Sequence, residues 1–305
     1  MNRAMTAGLV LLVGMAGIVF NAAAADAGKL RVVSDQVVTP GLAFPESVGC
    51  DPSGKALYVS QFGGSELKPA EKDGNGRISK LSLDGKLVES RFLPDPGDVL
   101  NKPKGNWIKG NRLWVADIDS VWVFDLKTHQ GRKLPIPGIQ FANDVVIMGN
   151  ALYVSDNRAD KLFKIEPADF LAVKVKPKIT EVLSGKGLNP NGIYPAKDGS
   201  LLVVGFKSAK EPRGIYSVNA KGEIKELAKD IGGLDGVYEM KDGTILATDW
   251  HSGSLFSWNA KDGKQTLASG FKGPADFCVI PQAKGYLVVV PDLVKSELRL
   301  IQLAR

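Results

Sequence analysis

Histidine is nearly missing from this chain, with two in 305 residues, and cysteine is equally scarce at two. Zinc sites are built from Cys and His, so a zinc centre is disfavoured from the outset. No G-x-S-x-G stretch occurs, which removes the usual serine nucleophile elbow. Basic residues form no run or stripe, and the net charge is only +6, so the clustered positive face of a nucleic-acid binder is absent. No Pro/Ser-rich linker divides the chain, and helical periodicity is almost lacking. The expectation is a single domain without helices.

The one long apolar run lies at the start. Met1–Arg3 give a short positive segment, residues 4–20 are rich in Ala, Leu, Val and Gly, and NAAAADAG follows. This is the pattern of an export leader ending at small residues, with cleavage expected after Ala24 or Ala25. The junction has no Cys, which disfavours a lipoprotein. Residues 1–25 are therefore read as a signal peptide and 26–305 as the working domain, exported to a periplasm or secreted, with no membrane attachment after cleavage. Loss of Arg3 reduces the charge from +6 to +5. Cys50 and Cys278 would then meet an oxidising compartment, where they either pair or remain small buried hydrophobes.

What the chain has in abundance is short Val/Leu/Tyr/Trp runs separated by Gly, Asp and Asn turns. Six stretches share one plan: PESVGCDPSGKALYVSQF, PKGNWIKGNRLWVADID, ANDVVIMGNALYVSDN, PNGIYPAKDGSLLVVGF, LDGVYEMKDGTILATDW and PADFCVIPQAKGYLVVVPD. Their second residues are Glu46, Lys104, Asn143, Asn191, Asp235 and Ala275, separated by 58, 39, 48, 44 and 40 residues. A period of roughly 40–50 residues with about four strands each is that of a β-propeller blade. The reading is an all-β, six-bladed propeller of antiparallel strands. KLRVVSDQVV, from Lys29, would close the ring as the outer strand of the last blade.

In such a ring the innermost strands line the central channel and start at the same mouth. Asn and Gly are poor strand residues, yet Asn191-Gly192 opens one of these strands. A side chain at that point can aim at the axis, while the glycine lets the neighbouring backbone pass closely. Glu46, Asn143, Asn191 and Asp235 together offer hard oxygen donors, two of them anionic, which suits Ca²⁺ or another divalent cation. Asn and Asp are also ordinary turn residues and would occupy such points without any ligand.

These motifs, in this order, resemble those of the SMP-30, gluconolactonase and luciferin-regenerating enzyme family. PESVGCD resembles its Glu motif, FANDVVI its Asn-Asp pair, NPNGIYP its Pro-Asn-Gly motif and LDGVYEMKDG its Asp-Gly motif. The resemblance implies a metal held by Glu46, Asn143, Asn191 and Asp235, with Asp235 also the proton acceptor in hydrolysis of sugar lactones or similar cyclic esters. The partner would be a small molecule, with Asn143, Lys104 and His251 as substrate contacts. The alternative is a non-catalytic, NHL-like propeller that binds a small ligand or a partner protein.

Lys104 departs from the pattern. It could bind an anionic substrate or a developing oxyanion. It could instead pair with Glu46 or Asp235 and exclude the metal, or extend to solvent. The ends of the second strands place Gln61, Asp156, Asn157 and Asp249-Trp250-His251 at the rim, while His129 reads as a turn residue. Residues 63–76 read as a lid or a surface loop.

Overall fold

A computed structural model describes residues 28–305; the expected leader, residues 1–25, lies outside the described residues. Six four-stranded antiparallel sheets follow one another in chain order. Within each of the first five, strand order in space equals strand order in sequence, the meander that short turns impose. The last sheet takes its outermost strand, Arg31–Val38, from the N-terminal side of the chain. That strand pairs antiparallel with Glu297–Ala304, from Arg31 opposite Ala304 to Val38 opposite Leu298. The chain is a six-bladed propeller closed in the expected way.

Each sheet is covered on both faces by its neighbours, which explains the continuous apolar runs. The second strands, such as Leu57–Gln61 and Ala151–Asp156, are buried at every residue. The fourth strands face solvent, as the exposed start of Leu87–Leu93 shows. The main core is correspondingly divided between blades. Val154 and Phe163 of the third blade pack on Trp114 and Val123 of the second. Val203 and Tyr216 of the fourth pack on Tyr153 and Leu162 of the third. Val289 and Leu300 of the sixth pack on Val59 and Leu81 of the first. Burying one such side chain is worth about 1.5–3 kcal/mol, so each interface is held by many small terms.

Cys50, at the end of the first inner strand, is bridged to Cys278, which opens the last, with their Cα atoms 5.7 Å apart. Both alternatives were open in the sequence. The disulfide adds a second clasp at the seam where Arg31–Val38 already closes the ring.

The inner strands share an irregularity. Pairing with the second strand slips at Pro45/Ser47, Pro103/Asn106, Ala142/Val145, Pro190/Ile193 and Leu234/Val237. A bulge leaves one or two residues off the ladder and turns their side chains away from the regular alternation. The residues it frees are Glu46, Lys104-Gly105, Asn143-Asp144, Asn191-Gly192 and Asp235-Gly236. The oddity of Asn191 is thereby explained: it belongs to the strand but is not paired in it. Blade six differs, because its inner strand starts only at Cys278, and Asp276 bridges to Ser47 instead.

Candidate active site

One mouth of the channel opens into a cavity of about 430 Å³. Glu46, Lys104, Asn143, Asn191 and Asp235 all line it, so five blades contribute the bulge residue expected from the repeat. Ala275, the sixth, is fully buried against Phe62 and Leu293 and is not part of the lining. Gly192 lets the fourth and fifth blades approach closely, since a Cβ there would strike the Asp235 carbonyl oxygen.

Glu46 Oε2, Asn191 Oδ1 and Asp235 Oδ1 are buried without a hydrogen-bond partner. Buried polar atoms are almost always paired, so these three, with Asn157 Oδ1 as a fourth around the same cavity, require a reason. For two of the three the companion atom is held. Asn191 Nδ2 donates to the Leu234 carbonyl at 3.2 Å, and Trp250 Nε1 donates to Asp235 Oδ2 at 2.7 Å. Asn191 and Asp235 are thus each fixed by one atom while the other is left for something in the cavity. That is how outer contacts orient metal ligands.

The electrostatics point the same way. Burial, then the charge of Asp235, pushes Glu46 well above the usual carboxylate range; Lys104 pulls it back, and Asp276 and Asp144 push further. Asp235 is raised to about 8 by burial and by Asp276, against hydrogen bonding from Trp250 and Asn191. A divalent cation would relieve this accumulation of buried acid. Among the described residues no three His, Cys, Asp or Glu side chains form a metal cluster. The donor set is instead two carboxylates and two amides, all oxygen, which fits calcium rather than zinc.

Lys104 does not extend to solvent; it is 1% exposed. A bulge at the buried end of an inner strand gives its four-carbon stem no route outward. Its Nζ donates to the Lys102 carbonyl at 3.1 Å and lies 4.0 Å from the centre of the Phe141 ring. It forms no ion pair with Glu46 or Asp235 among the described residues. Burial lowers it to about 8, against the attraction of Glu46 and Asp117, with Arg158 and Lys102 adding repulsion.

The rim residues divide. Gln61 accepts from the Ala43 amide at 2.8 Å, Asp156 from those of Gln140, Arg158 and Ala159, and Asp249 from Gly233 at 3.1 Å. Asp117 and Asp292 tether loops in the same way. These ends of second strands are struts, not ligands. His251 is exposed beside Phe206, with ring centres 5.7 Å apart, and does not line the cavity. His129 sits in a turn at φ 59° and packs on Phe92. Of the 63–76 loop, Leu67 and Pro69 line the cavity, and Asp73 is tied to buried Lys102 at 2.6 Å, so the loop is a wall of the site.

The sequence did carry a signal for the rest of the wall. The residue following each second-strand end is Phe62, Ile118, Asn157, Phe206, Trp250 or Leu293, and all but Ile118 line the cavity. This is a second repeat position, one step past the struts.

No protein-family model and no curated protein matches the chain. Solved structures do. A structure described as a gluconolactonase by protein family superposes with TM-score 0.65 at 15% identity, covering 90% of this chain and 97% of that one. A gluconolactonase from Xanthomonas campestris gives 0.63 at 12%, covering 90% and 91%. A catalytically inactive histidine-to-alanine virginiamycin B lyase from Staphylococcus aureus, with quinupristin, gives 0.59 at 14%, covering 90% and 99%. In fold, this chain is a gluconolactonase-like propeller.

Proposed function

We propose that the protein is an exported, calcium-dependent hydrolase of lactones or similar small cyclic esters. The observation that carries the proposal is the set of three unpartnered buried oxygens, on Glu46, Asn191 and Asp235, brought to one cavity by three blades. With Asn143 they would hold the ion. When bound, a divalent cation supplies a Lewis acid for the carbonyl oxygen and acidifies a bound water. Asp235, oriented by Trp250, is the carboxylate we assign as acceptor of the attacking water's proton. Lys104 is the candidate donor to the carbonyl oxygen as negative charge develops there. The water oxygen bonds to the carbonyl carbon, the ring C–O bond breaks, the leaving alkoxide takes up the proton that Asp235 accepted, and the product is a hydroxy acid.

The lyase neighbour is inactive when a histidine is replaced by alanine. Here neither of the two histidines lines the cavity, which favours hydrolysis over that neighbour's chemistry. The Cys50–Cys278 disulfide supports the exported location.

The test has two parts. Millimolar calcium should raise the melting temperature, by an amount equivalent to about 2.7 kcal/mol at a hundredfold excess over Kd. A panel of lactones should be opened, and chelator should abolish the activity. No shift and no turnover would leave a non-catalytic binding propeller.

A further inference from the structure

The wall of the cavity is chemically unlike its floor. Around the bulge residues stand Phe62, Phe206, Trp250 and Leu293, with Leu67 and Pro69 from the lid segment. Polyhydroxylated ligands need a donor or acceptor for each buried hydroxyl. This wall offers few: besides the floor, the uncharged polar side chains are Asn157, whose Oδ1 is unpartnered, and Asn189, which donates to the Asn157 carbonyl at 3.0 Å on the same flank.

The charged groups of the wall are cations. Lys207 is committed to Glu211 at 2.6 Å. Arg158 is not: it is exposed, with no ion pair or side-chain hydrogen bond among the described residues. Its guanidinium carbon lies 3.9 Å from the centre of the Phe141 ring. Lys104 lies 4.0 Å from the same ring, so one aromatic side chain holds both cations. A guanidinium packed on an aromatic ring keeps its edge N–H groups free, in the planar fork that matches a carboxylate.

We infer that the ligand of this cavity has an apolar aryl or alkyl body and a carboxylate read by Arg158, rather than a sugar skeleton. The inference rests on the hydrolase reading only for the reacting ester; the apolar wall and the free guanidinium stand without it. Arg158 is a specificity-determining residue, placed at the wall and not at the reacting carbonyl.

The experiment begins with metal-free protein in chelator, titrated calorimetrically with 4-phenylbutyrate, its neutral amide and gluconate. Phenylbutyrate should bind about tenfold more tightly than the amide, as expected of one charge-assisted bidentate contact. Gluconate should not bind measurably. Arg158→Gln, a change at an exposed side chain, should bring acid and amide to equal affinity. Equal binding of acid and amide by the native protein, an unaltered preference in Arg158→Gln, or gluconate binding as well as phenylbutyrate would overturn the inference. With calcium, hydrolysis of γ-phenyl-γ-butyrolactone, its para-carboxyphenyl analogue and glucono-δ-lactone separates the two readings. Preference for the carboxylated lactone, lost in Arg158→Gln, supports both. Titrations as expected without opening of any lactone reject the hydrolase and keep the ligand class. Preference for glucono-δ-lactone rejects the ligand class and keeps the hydrolase.

Discussion

Two tiers of one channel, a single residue apart, use the same chemistry to opposite ends. The outer tier holds Glu46 and Asp235; the next holds Asp144 and Asp276. Glu46, Asp235 and Asp144 are buried and Asp276 is half-buried, and all four are raised above the usual carboxylate range. Yet Asp144 accepts from the Val145 and Ile193 amides at 2.7 and 2.8 Å, and Asp276 accepts from Ser47 Oγ at 2.6 Å. The inner acids join neighbouring blades, while the outer ones present free oxygens to a cavity. Burial and charge are therefore not what marks the site. Several unsatisfied oxygens gathered at one cavity are.

The largest expected effect is a crossover between the tiers. Asp235→Asn should lower lactone turnover about a thousandfold, the middle of the range for a lost proton acceptor. It should leave stability in chelator at neutral pH unchanged or higher, because the cost of protonating a buried carboxyl on folding is gone. Asp144→Ala strands two buried amides, which should cost roughly 2–5 kcal/mol in urea melts while calcium still binds. Loss of calcium binding in Asp144→Ala without loss of stability would break the comparison.

A smaller effect is a pH dependence of the metal-free protein. Asp235 moves from an ordinary 3.8 to about 8, so the folded chain holds that proton more tightly than the unfolded one. Its contribution is complete below 3.8 and is lost as pH rises through about 8, and Glu46 acts in the same direction. The melting temperature in chelator should fall over this window, and the fall should be shallower in Asp235→Asn. Above it Lys104 acts with the opposite sign. Its folded value of about 8 lies below the ordinary 10.5, so the folded chain releases that proton first and the curve should recover. A flat profile across the lower window would mean that the outer acids are not repelled and buried as described.

The propeller itself was legible because every blade repeats one polar-turn, apolar-strand plan, and the closing strand because 29–38 had no partner in any unit. Glu46, Asn143, Asn191 and Asp235 were legible because they break strand propensity at one repeat position. Lys104's burial was not, since a lysine's direction depends on whether the bulge points its stem inward. The struts and the wall were confused for a related reason. Asp249 and Trp250 are adjacent in sequence, but the carboxylate turns back to the Gly233 amide, whereas the indole reaches Asp235. Alternation along a strand assigns faces and cannot tell which residue beyond its end turns inward.

Trp250 provides the finest test, because it links the wall to the outer tier without being one of the proposed ion ligands. Trp250→Phe keeps an aromatic ring beside Phe206, where the indole makes a T-shaped contact at 6.1 Å, and deletes the N–H that holds Asp235 Oδ2 together with part of the indole. Loss of such an orienting contact should weaken calcium about tenfold, read as a shift in the calcium concentration that half-protects against thermal unfolding. Stability in chelator should fall by roughly 1–3 kcal/mol, because Asp235 Oδ2 loses its donor at a buried position. Phe206→Leu, which alters the wall and leaves the indole hydrogen bond intact, should leave calcium affinity at the native value. If the two variants shift calcium equally, ring packing and not the N–H orients Asp235. In that case the outer tier, like the inner one, would owe its geometry to the scaffold alone.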